Sequence, residues 1–142
     1  MRRIPHTIEH QVLPKTLVVC VGSGTICSGI LNGILSNNLD IKLIGVMSRT
    51  GNVELKKQFI FKKSRVALIH EARRSLVLED HYWKYTEPCT IRTPFPCHSY
   101  YDKKAWKFLT GKVNNFEEPV LFWNIGSSRI IRRNGDGRHG LL

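Results

Sequence analysis

Residues 17–29 read LVVCVGSGTICSG, an apolar run that breaks into Gly22, Ser23, Gly24 and Thr25. Glycines between a buried strand and a helix leave backbone N–H groups bare. Bare amides at a helix start hold anions, phosphate above all. Two familiar phosphate cradles do not fit. The dinucleotide fingerprint needs a third glycine where Cys27 stands, and an acid about twenty residues past the turn. Residues 41–48 instead lead into Met47-Ser48-Arg49. The nucleotide P-loop needs a lysine after its last glycine, and none follows Gly29.

Two later segments carry further polar chemistry. YYDKKAW places Tyr101 and Asp102 side by side, and PVLFWNIGS ends in Gly126 and Ser127. Cys20, Cys27, Cys89 and Cys97 read as reduced thiols. Together with His81 and His98 they show no C-x-x-C or H-x3-H spacing, so no metal site is expected.

These residues need elements to position them. At 142 residues with 42% hydrophobic composition, the chain suits one domain. LVVCV predicts a short buried strand. Ile26, Ile30, Leu31, Ile34 and Leu35 predict a helix ended by Asn37-Asn38. Gly29 and Gly33 weaken that helix by roughly 1 kcal/mol each against Ala, and are expected to let it pack closely on a sheet. IKLIGVMS (41–48) predicts a second strand, making a β–α–β unit with parallel strands. Helical patterning is expected from Val53 to Leu78. Residues 85–101 hold three prolines and predict a long ordered loop, the kind that tends to be functional. DKKAWKFL predicts a short helix with Asp102 as its N-cap. EPVLFWNIGSS repeats the strand-into-glycine theme, and residues 129–142 read as a basic, flexible tail.

The order of the segments VVCVGSGTICSG, IKLIGVMS, YYDKKAW and PVLFWNIGS resembles the pyridoxal-phosphate (PLP) enzymes of fold type II, the tryptophan-synthase-β-like family. Within that family the segments look most like the branch of aminocyclopropane-carboxylate deaminase and D-cysteine desulfhydrase. The resemblance covers residues 9 to 128 and implies the C-terminal half of such an enzyme: an α/β fold, a partial open parallel sheet with flanking helices. It implies that Gly22, Ser23, Gly24 and Thr25 cradle the cofactor phosphate, with Gly29 as the last glycine of the turn. It further implies Tyr101 as an active-site tyrosine, Asp102 beside the pyridine nitrogen, and Gly126 and Ser127 lining the far side of the ring. The chain departs from the pattern at Thr25 and Ile26 (family glycine and threonine), Lys103 (glycine), Asn124 (histidine) and Ile125 (threonine).

Complete family members are roughly twice as long and carry their Schiff-base lysine in the other half. Lys104 matches a different lysine. The expectation is therefore a cofactor-binding half of an enzyme acting on an amino acid or amine, completed by an N-terminal chain or by self-association. The formal net charge of +11 supplies the second reading, an inactive basic module binding nucleic acid or another polyanion. Lys56, Lys57, Lys62, Lys63, Arg65, Arg73 and Arg74 carry much of that charge. MRRIPHTIEH lacks an apolar signal core and no long apolar run follows, so a cytoplasmic protein away from membranes is expected.

Overall fold

A computed structural model of the chain describes residues 13–64, 69–125 and 139–141. In chain order the elements are β1 (Thr16–Val21), α1 (Thr25–Ser36), β2 (Lys42–Met47), α2 (Val53–Ser64), α3 (Ile69–Ser75), β3 (Leu76–Glu79), α4 (Asp102–Lys112), a 3-10 turn (Val113–Asn115), β4 (Val120–Trp123) and β5 (His139–Leu141). They form one sheet of order β3-β2-β1-β4-β5. β1 to β4 are parallel, with Val18 opposite both Ile44 and Phe122, while β5 runs antiparallel to β4. The α/β fold with a parallel sheet and flanking helices is the one expected.

Period-two alternation splits each central strand between two cores. Leu17, Val19 and Val21 face Leu31 and Ile34 of α1 and Ile60 of α2. Val18 and Cys20 face Ala105, Trp106 and Leu109 of α4. β1 is buried along its whole length, as a strand covered on both faces must be. Phe95 of the proline-rich loop enters the second core against Trp106 at 5.0 Å and Phe122 at 5.8 Å. Such ring pairs are worth about 0.5–1.5 kcal/mol each beyond their buried area. They explain how a stretch without helix or strand stays ordered.

Three local expectations are corrected. The helical stretch expected to reach Leu78 ends at Ser75, and Leu76–Glu79 is strand β3. Pairing of Leu43 with Leu76 and Gly45 with Leu78 decides this, because three apolar residues before Glu79 do not reveal their own type. Gly29 and Gly33 have nothing within 4 Å of a built Cβ, so they do not mediate close packing. The close approach lies at Gly45, where a Cβ would meet Val21 Cγ2 at 2.6 Å and Leu78 Cδ2 at 2.7 Å. Finally, Tyr101 is the N-cap residue of α4, and Asp102 is its first helical residue, with 1% of its surface exposed. Among the described residues no helix is long and apolar enough to cross a membrane.

Candidate functional site

β1 lies between β2 on one side and β4 on the other. The chain leaves β1 through α1 to β2, and returns only later to β4. The carboxyl ends of β1 and β4 therefore flank a topological switch point, the place where open α/β sheets bind ligands. A pocket of about 150 Å³ opens there. Gly22, Ser23 and Gly24 line it from the turn after β1, Tyr101 from the start of α4 and Ile125 from the end of β4. Cys20, Ile26 and Cys27 complete the wall.

The turn presents a helix N-terminus that no side chain caps. Gly24 takes a left-handed conformation (φ 101°) as the N-cap of α1, and no side chain caps that helix. The first turn of α1 carries no acid, so its positive end is not neutralised from within. A Cβ on Gly24 would lie 3.1 Å from Ile60 Cγ1 and 3.2 Å from Phe59 Cδ2, so α2 supports the turn from behind. Gly22 has open space where its Cβ would be. Thr25 N–H donates to Ser23 Oγ at 3.3 Å, and Ser23 Oγ donates to Thr25 Oγ1 at 3.1 Å. The two hydroxyls are thus paired with each other. Lys56 of α2 donates from Nζ to Gly22 O at 3.0 Å and to Ser23 O at 3.4 Å. Sequence reasoning counted Lys56 only as part of the basic surface; the contact crosses 34 residues and no local pattern announces it.

Tyr101 is half-buried, with the His98 ring 4.8 Å away. A hydrogen bond and charge interaction with Tyr85 push its phenol above the ordinary value, with smaller contributions from burial and Cys20. It is therefore a neutral hydroxyl at physiological pH. Burial, joined by the nearby Asp102 charge, pushes the Cys20 thiol far up. The same two causes bring Cys97 to about 12. Asp102 is thus near enough to both thiols for its charge to act on them, and neither thiol is a ready nucleophile. Asn124, fully buried, donates from Nδ2 to Pro96 O at 2.6 Å and ties the proline-rich loop to the end of β4.

Of the residues expected in the site, the structure brings Gly22, Ser23, Gly24 and Tyr101 to one pocket and places Asp102 next to it in sequence, buried. Thr25 is exposed at the start of α1 and is bonded to Ser23 rather than lining the pocket. Gly126 and Ser127 lie outside the described residues. Ile125, which sequence reasoning noted only as a lost hydrogen-bonding threonine, lines the pocket.

In sequence the chain is 30% identical over 125 residues to a "Glycyl-dTMP PLP-dependent decarboxylase" of Pseudomonas phage M6, a match covering 84% of this chain and 44% of the relative. In structure it superposes on an ACC deaminase homologue with a TM-score of 0.65 at 21% identity, covering 92% of this chain and 45% of the other. No family model matches. The resemblance drawn from the order of the motifs is thus found in both comparisons, and the fold is that of the ACC deaminase homologue. The chain spans somewhat less than half the length of either relative.

Proposed function

We propose that this chain is the cofactor-phosphate-binding half of a PLP-dependent enzyme acting on an amine derived from an amino acid. The observation that carries the reading is the convergence of the uncapped glycine turn, Tyr101 and Ile125 on one pocket at the switch point. The cradle suits the group: open space at Gly22, a helix N-terminus without a side-chain cap at Gly24, and no acid in the first turn of α1. When bound, PLP supplies an electron sink for a carbanion next to the substrate nitrogen.

This chain's own contribution is binding and orientation. The amides following Gly22 and Ser23 take the phosphate, and a helix N-terminus adds about 0.3–1 kcal/mol for an exposed anion, more when partly buried. Lys56 fixes the carbonyls of Gly22 and Ser23 on the helix side of the turn. Tyr101 would present a protonated hydroxyl to the cofactor, and Asp102, buried next to it in sequence, would supply the carboxylate for the ring nitrogen. The lysine that anchors the cofactor comes from polypeptide outside these 142 residues, a reading supported by relatives about twice as long. The decarboxylase relative acts, by its name, on glycyl-dTMP. With a formal net charge of +11, an amino-acid adduct carried on a nucleotide is the substrate class that fits this chain best.

The test uses pyridoxine 5′-phosphate, which lacks the aldehyde and cannot react with surface lysines, against pyridoxine itself. Phosphorus NMR and equilibrium dialysis should show binding of the phosphate form alone, lost in Gly22→Asp, whose Cβ would have no atom within 4 Å. Equal binding of both forms, or binding of neither, would end the proposal.

A further inference from the structure

A second cleft, larger than the cofactor pocket at about 410 Å³, lies between the loop after β3 and one face of α4. His81, Tyr82, Trp83 and Phe108 supply its aromatic surface, and Lys107 and Lys112 supply charge at its rim, with Glu87 the single acid in the lining. Lys104, buried beneath, donates from Nζ to Ser48 O at 2.6 Å and to Lys84 O at 3.2 Å, so its ammonium belongs to the floor. The ammonium groups of Lys104 and Lys107 lie 5.2 and 5.5 Å from the Trp83 ring centre. Trp83 thus holds Lys107 in place by cation–π attraction.

Tyr82 is 78% exposed and has a positive φ of 64°, which a bulky residue adopts at a cost in strain. The conformation is enforced. Asp80 Oδ1 accepts the Tyr82 N–H at 2.9 Å, and Asp80 Oδ2 accepts the Thr50 hydroxyl at 2.8 Å. Thr50 N–H in turn donates to Trp83 O at 2.7 Å. The loop is thereby bolted to the segment following β2, at the same carboxyl end of the sheet as the cofactor pocket. A flat aromatic held in solvent next to two exposed lysines is what single-stranded nucleic acid recognition requires, a stacking face beside a cationic track.

We infer that this cleft binds a strand of single-stranded nucleic acid, one base stacking on Tyr82 and the adjoining phosphates meeting Lys107 and Lys112. The choice of nucleic acid rests on the substrate class proposed above, but the cleft does not depend on cofactor binding.

The experiment is a fluorescence-anisotropy titration of the full chain with a labelled thymidine-rich oligonucleotide at low salt, without cofactor. Tyr82→Ala and Lys107→Glu should each weaken binding about tenfold, within the range for a lost stacked base. Tyr82→Phe should retain it, and Lys107→Glu should flatten the salt dependence. Lys62→Glu, on the exposed face of α2, should change affinity less than twofold. Gly22→Asp should leave oligonucleotide binding intact while abolishing pyridoxine-phosphate binding, which separates the two proposals. The inference is overturned if Tyr82→Ala binds as the parent does, if Lys62→Glu costs as much as Lys107→Glu, or if duplex DNA binds more tightly than the single strand.

Discussion

Lys104 on α4 donates the shorter of its two side-chain hydrogen bonds to the carbonyl of Ser48, the residue after β2, at 2.6 Å. The link locks the helix that presents Tyr101 to the end of a strand two places across the sheet from β4. Burial holds the Lys104 ammonium below its ordinary pKa. The folded protein therefore binds a proton less tightly there than the unfolded chain does. Stability should rise with pH from the lowered folded value up to the ordinary 10.5. Lys104→Met should lose about 1–3 kcal/mol at neutral pH by leaving the Ser48 carbonyl unpaired. It should also lack the alkaline rise that urea melts of the parent show.

Cys27 runs the opposite way. Burial pushes its thiol from 9.0 up to about 12. Its contribution is present below the ordinary value and lost as pH climbs through the folded one. Between those values the parent should lose stability relative to Cys27→Ala. In the native protein at neutral pH, Cys20 and Cys27 should react with a thiol reagent many times more slowly than in urea.

Within the phosphate turn, shape should matter more than hydroxyls. Ser23→Ala breaks only an exposed pairing with Thr25, so pyridoxine-phosphate affinity should change less than threefold. Gly24→Ala forces a Cβ against Ile60 and Phe59 at a positive φ, and should cost about 1–3 kcal/mol of stability together with most of the affinity. Calorimetric titration beside thermal melts distinguishes the two variants.

Gly45→Ala should destabilise the fold by about 1–3 kcal/mol through overpacking, because its Cβ would meet Val21 and Leu78. Gly29→Ala, on the open face of α1, should instead raise stability by up to about 1 kcal/mol. Chemical denaturation reads both.

The parallel core was legible because LVVCV and IKLIGVM are apolar runs between turn signals, and such runs become covered central strands. β3 was not, since LVLE follows a basic helix directly and only pairing with β2 reveals its type. The glycine turn was legible as a strand-to-helix junction because its residue types are confined to few roles. Asp102 was misplaced by one position as a cap, since acids are favoured both at the cap and in the first helical turn. The cleft under Tyr82 left no local signal. Its residues come from two segments some twenty positions apart, joined only by the fold.

Gly24 has no side chain, and Ile60 and Phe59 press toward the space one would fill. Phe59 is 43% exposed and reads as an ordinary surface residue. A bulkier side chain there would nevertheless crowd the backbone of the glycine turn in front of it. Drift on α2 would thereby reach the mouth of the pocket, transmitted through one missing carbon atom.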